Sequence, residues 1–152
     1  MPEITTFLTY NNQAEEAVNH YLSVFEGGKK LSTIPGPKGG VLTVTFELFG
    51  KTFIALNGGP SFTFTHGFSL FVSCDTQAEI DRYWGKLTEN GGKEVQCGWL
   101  VDKFGVSWQI VPKILLGLIS DKDPDKASRA MAEMMKQKKF DIAALKRAHE
   151  GG

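Results

Sequence analysis

The sequence predicts an α+β protein in which a strand–helix–three-strand module is used twice and then followed by helices. Two observations carry this. Short β-branched and aromatic runs are interrupted by one helical period in each half of the chain, and the order of runs repeats. After Pro112 the pattern changes to helix caps followed by amphipathic stripes.

Ile4 to Tyr10 is β-branched and aromatic and reads as a strand, after which Asn11-Asn12 offers turn and helix-cap chemistry. Ala14, Ala17, Val18, Tyr21, Leu22 and Phe25 then recur at three- and four-residue steps, so a helix is expected until Gly27-Gly28. Lys29 to Pro35, Val41 to Phe49 and Lys51 to Asn57 read as three strands, separated by a Pro-Gly-rich turn and by Gly50. Gly58-Gly59-Pro60 breaks the chain, and Ser61 to Thr65 alternates Phe62 and Phe64 with polar residues. A second strand–helix pair is predicted from Gly67 to Cys74 and from a cap at Asp75 or Thr76 through Glu89, with Ile80, Tyr83, Trp84 and Leu87 as the apolar stripe. Lys93 to Leu100, which can divide at Gly98, and Val106 to Val111 supply the remaining strands.

Residues repeat as well as pattern: Gln13-Ala14-Glu15 recurs as Gln77-Ala78-Glu79, and Gly27-Gly28-Lys29 recurs as Gly91-Gly92-Lys93 at the same offset. The apolar stripes do not share that offset. Beyond Pro112, Lys113 to Ile119 is a short apolar helix. Asp123-Pro124 starts a helix with Ala127, Ala130, Met131, Met134 and Met135 along one stripe, and Asp141 caps the last.

Composition narrows the function classes. Lys plus Arg and Asp plus Glu number 17 each, so no net field draws the chain to nucleic acid or an anionic membrane. No apolar run is long enough to span a bilayer, and the two cysteines, Cys74 and Cys97, suit a reduced, cytoplasmic protein.

Chemical variety concentrates between Cys97 and Pro112, which hold two of the three tryptophans. In Val106 to Val111, alternation points Val106, Trp108 and Ile110 one way and Ser107, Gln109 and Val111 the other. An amide beside a hydroxyl suits a cavity wall, and it equally suits a wet edge strand. Asp102, opening the turn before Gly105, is expected to bond the turn's own backbone, Cys97 to be a packed thiol, and His66 to sit in a loop.

Leu56-Asn57-Gly58-Gly59-Pro60, Cys97-Gly98-Trp99-Leu100, Asp102 through Pro112 and the tail from Asp123 to Leu145 together resemble the PhnB-like branch of the vicinal oxygen chelate superfamily. That superfamily contains glyoxalase, bleomycin- and fosfomycin-resistance proteins and extradiol dioxygenases. Many PhnB-like members bear the label demethylubiquinone methyltransferase. The resemblance implies a glyoxalase-like fold of two βαβββ modules forming cupped mixed sheets. It makes residues 1–152 one PhnB-like domain, with modules at 1–60 and 66–112 and a helical tail at 113–152. It also implies a homodimer.

Carrying over the positions where fold relatives place metal ligands gives Thr6 in the first strand, Asn57 or Ala55 in the fourth, Phe68 in the fifth and Gln109 in the eighth. A transition metal wants imidazole, carboxylate or thiolate, so no metal and no cofactor are expected. Methyl transfer asks for a glycine-rich strand-to-helix turn in a parallel sheet, whereas Gly27-Gly28 and Gly91-Gly92 follow helices. The expectation is a cavity binding a small, partly apolar metabolite through Thr6, Asn57, Phe68, Trp99, Ser107 and Gln109. Metal-independent catalysis and a purely structural or assembly role stay open beside it.

Overall fold

The computed structural model describes residues 1–152. The chain divides into two compact units, Met1–Phe64 and Thr65–Gly152.

The first unit runs β1 (Thr6–Tyr10), α1 (Ala14–Val24), β2 (Lys29–Pro35), β3 (Val41–Leu48) and β4 (Lys51–Asn57). Its sheet has the order β1-β4-β3-β2, with β1 parallel to β4 and the other pairs antiparallel. Alternation in the strands sends Leu8, Tyr10, Val44, Phe46 and Ala55 to one face, where they bury with Ala17, Val18, Tyr21 and Val24 of α1. The Tyr10 and Tyr21 hydroxyls meet at 3.1 Å inside this core, so two buried polar groups satisfy each other.

The second unit repeats the arrangement with β5 (Leu70–Cys74), α2 (Gln77–Thr88), β6 (Lys93–Glu94), β7 (Trp99–Val101) and β8 (Ser107–Pro112), in the order β5-β8-β7-β6. Here β5 is parallel to β8, as β1 is to β4. Ile80, Tyr83, Trp84 and Leu87 of α2 are buried, as are Leu100, Trp108 and Ile110 of the sheet. α3 (Ile114–Ile119), α4 (Pro124–Lys136) and α5 (Ile142–Glu150) complete the unit. No helix is long and apolar enough to cross a membrane.

Local chemistry explains most boundaries. Thr76 and Glu79 form a reciprocal capping box at the start of α2. Asp123 accepts from the Asp125 and Lys126 amides ahead of α4, and Asp141 accepts from Ala144 N–H at α5.

At α1 the structure corrects the sequence. Asn11 and Asn12 do not cap the helix; Gln13 is the cap residue and its side chain makes no capping bond. Asn57, at the far end of β4, accepts instead from Ala14 N–H at 2.8 Å. The fifth strand also starts later than expected, at Leu70, so Phe68 lies in the irregular stretch before it. The predicted run from Lys93 to Leu100 is broken into β6 and β7, because Cys97 and Gly98 both adopt positive φ, 59° and 79°.

Candidate functional site

The second unit carries a half-open cavity of about 480 Å³. Its floor is the sheet face that α2 does not cover, and strand register decides which side chains meet there. Gln109 of β8 stands opposite Phe71 of β5 and Trp99 of β7, and residues paired in register share a face. Ser73 and Val111 follow one step along the same two strands, and Cys97 stands at the rim. Two aromatic rings therefore flank one carboxamide in an otherwise apolar recess.

That carboxamide is half engaged. Gln109 Nε2 donates to Ser69 Oγ at 3.0 Å, while the other end of the amide has no partner in the chain. In a cavity of this size, such a group fixes the orientation of whatever it meets. The only formal charge on the lining is Lys113, an exposed ammonium held by Asp75 at 3.0 Å. The neighbouring carboxylate raises the Lys113 pKa above the ordinary lysine value, so the cation persists.

The six sequence-predicted site residues fall in different places. Trp99 and Gln109 come together in the cavity. Ser107 shares their sheet face by alternation but does not line the cavity; it is buried, and its hydroxyl finds no partner. Phe68 is exposed in the irregular stretch before β5. Thr6 and Asn57 belong to the first unit. Thr6 alternates with Leu8 and Tyr10 towards the α1 side of its sheet. The Asn57 amide is spent on backbone, accepting from Ala14 N–H and donating to Val41 C=O at 2.9 Å.

Sequence reasoning missed a third of the lining, because Leu115, Leu116, Ile119 and Met134 come from helices beyond the two strand modules. The signal was present in Ile114 to Ile119, an apolar helix only six residues long whose Leu116 is 72% exposed. So short an apolar helix has little of its own to bury.

The other candidates are structural. Asp102 is buried and accepts from the Phe104 and Val106 amides through Oδ1 and from Trp108 Nε1 through Oδ2. His66 is an exposed loop residue. Cys74 is buried, and desolvation, with Glu79 and Asp75 nearby, pushes its thiol up to about 12. Cys97 is partly exposed, with Sγ 3.9 Å from Met135 Sδ.

The model of the 3-demethylubiquinone-9 3-methyltransferase family matches residues 2–111. The chain belongs to this family. A PhnB protein from Bacillus cereus that carries the same methyltransferase name is 36% identical, with 73% of this chain and 99% of that one covered at a TM-score of 0.68. Two further structures share the fold. A glyoxalase/bleomycin resistance protein from Albidiferax ferrireducens is 15% identical over 72% of this chain and 96% of its own, with a TM-score of 0.51. The fosfomycin resistance protein FosX from Listeria monocytogenes, bound to Mn(II), is 10% identical over 73% of this chain and 92% of its own, with a TM-score of 0.54. None of the curated proteins matches. This PhnB-like chain thus shares the fold of glyoxalase/bleomycin resistance proteins.

FosX holds Mn(II), and the side chains of this PhnB-like protein do not fit a centre of that kind. No three His, Cys, Asp or Glu residues converge in a way that could hold an ion. Gln109 offers a neutral amide, which cannot offset the dehydration of a divalent cation.

Proposed function

We propose that this PhnB-like protein binds a small, uncharged, hydroxyl-bearing aromatic metabolite in the cavity of its second unit. The observation that carries the reading is the Gln109 carboxamide, with one end held by Ser69 and the other free, between Phe71 and Trp99. Aromatic walls favour a flat apolar ligand. A hydroxyl group on that ligand satisfies the amide's free end, whereas a ligand lacking it leaves a polar group unpaired. The lining holds no carboxylate, which disfavours a cationic ligand.

Methyl transfer is not part of this reading. The turns from β1 to α1 and from β5 to α2, Asn11-Asn12-Gln13 and Asp75-Thr76, contain no glycine. They therefore lack the phosphate- or ribose-cradling loop that nucleotide-type cofactors use. Metal-independent catalysis remains the second reading, favoured by the thiol of Cys97 at the rim. Two unbridged cysteines suit the reducing cytoplasm, where we place the protein as a homodimer.

Calorimetric titration with 2-naphthol and with 2-methoxynaphthalene tests the proposal. Saturable binding of 2-naphthol should weaken about 5-fold in Gln109→Leu, the worth of one neutral hydrogen bond, with 2-methoxynaphthalene unaffected. Equal affinity of the two compounds for the unaltered protein would remove Gln109 from the role given to it. Turnover of a hydroxyaromatic panel that is lost in Cys97→Ser would favour the catalytic reading instead.

A further inference from the structure

The chain runs on beyond the segment that the family match covers. The family match stops at residue 111, and the Bacillus cereus relative is used over 99% of its length in covering 73% of this chain.

The tail is nevertheless built into the second unit. Cys97 and Gly98, in the turn between β6 and β7, donate their amides to the carbonyls of Gln137 and Lys138, each at 2.8 Å. Gln77, at the first turn of α2, clasps the next residues with both ends of its side chain. Its Nε2 donates to Phe140 C=O and its Oε1 accepts from Ile142 N–H, both at 2.8 Å. Between these two clasps Phe140 is fully buried against Gly98, where even a Cβ would come within 2.4 Å of the ring. No other residue than glycine leaves room for that ring.

With α4 and the following turn fixed in this way, α3 is carried over the sheet face opposite Gln109. Leu115, Leu116 and Ile119 of α3 and Met134 of α4 line the cavity together with Phe71 and Trp99. We infer that the segment beyond Pro112 is the second wall of the ligand site, and that Leu116 and Ile119 set the size of aromatic hydroxy compound it accepts. This rests on the reading of the cavity as a small-molecule site. It adds that ligand choice in this chain is decided in part by residues beyond the matched segment 2–111.

The chemistry of the wall is compatible with such a role. Leucine, isoleucine and methionine present apolar, adjustable surface to a ring, and Met134 in particular tolerates different ligand outlines. Leu116 is 72% exposed, so it can be exchanged without disturbing a packed core.

The test compares phenol, 2-naphthol and 2-hydroxyanthracene on the full chain, with Leu116→Trp and Ile119→Ala as variants. Leu116→Trp, which narrows the recess, should lower affinity for 2-hydroxyanthracene at least 10-fold while changing phenol less than 2-fold. Ile119→Ala should shift the preference towards the largest ring system. Circular dichroism identical to the parent shows that either variant is folded. If the unaltered protein binds these compounds and both variants keep the parent's order of preference, the tail has no part in selection and the inference falls alone. If the unaltered protein binds none of the three, the small-molecule reading falls with it. Affinity that declines as protein concentration rises would identify a second copy of the chain as the occupant and overturn the inference.

Discussion

Gln109 and Asn57 are both strand amides, and the sequence assigned them the same task. Their surroundings separate them. Asn57 ends β4 where α1 begins, and the backbone of Ala14 and Val41 occupies both ends of its amide. Gln109 keeps one end free because its strand neighbours are rings and Ser69 reaches only the other end. Alternation along β8 was legible from six residues of sequence, since period 2 fixes the face. The spending of Asn57 on a helix start 43 residues earlier was not, because it depends on the pairing of β1 with β4. The two cysteines separate in the same way. Burial and nearby carboxylates raise Cys74 to about 12, leaving almost no thiolate at neutral pH, whereas Cys97 stands at the cavity rim. Iodoacetamide at pH 7.5 should therefore modify Cys97 alone in the folded protein, with Cys74 reacting only after denaturation. Mass spectrometry of the digested protein reads the outcome, and alkylation of Cys74 without unfolding would contradict the burial described.

Elements show where sequence periodicity stops being informative. The helices of the tail were foreseen from Asp123, Asp141 and their apolar stripes, yet their docking was not, because Gln77, Gly98 and Phe140 lie far apart in the chain. Docking also has an electrostatic part. Lys139 pairs with Asp81 of α2 at 2.8 Å, and Asp121 accepts from Asp123 N–H and contacts His149 Nε2 at 2.8 Å. The hydrogen bond from Lys139, then that from Gln77, lowers the pKa of Asp81; the Asp123 amide, then His149, lowers that of Asp121. A carboxyl depressed in the folded state stabilises it above the ordinary aspartate pKa of about 4, and that stability is lost as pH falls through the folded value. Asp81 is exposed and Asp121 partly so, and solvent screening keeps the effect small. The Cys97 and Gly98 amides, which donate to the tail, should lose hydrogen-exchange protection as pH falls below about 4, ahead of the β8 amides. Asp81→Asn should already show part of that loss at pH 6. Protection that falls together in β8 and the tail contacts would mean that the tail has no separate opening.

At the scale of the molecule the repeat is plainer than the sequence allowed. The two sheets share one strand order and one parallel pair, β1 with β4 and β5 with β8. The apolar stripes of α1 and α2 fell out of step with the recurrence because Leu22 and Phe25 were counted in the first stripe. In the fold Ala17, Tyr21 and Val24 occupy the places of Ile80, Trp84 and Leu87, which is one residue from the Gln-Ala-Glu recurrence. The difference lies at the cap: Gln13 precedes α1, whereas Gln77 is inside α2. Each unit also leaves one face of its sheet without a helix of the module. In the first unit that face carries Phe7 opposite Ile54, and Thr9 opposite Leu56, with Ile34 on the outer strand. Phe7 is 53% and Ile34 54% exposed, and the edge strand β2 is exposed along its whole length. An apolar face bounded by an unpaired edge favours association, and closed two-fold pairing is the commonest form it takes. Sedimentation equilibrium at micromolar concentration should therefore show a two-chain species. Phe7→Lys combined with Ile34→Lys should raise its dissociation constant at least 10-fold, because each charge must be desolvated to keep the contact. Neither residue lines the cavity, so 2-naphthol affinity should persist in the double variant. A single-chain species in the unaltered protein, or a dimer indifferent to both lysines, would place self-association elsewhere or nowhere on this sheet.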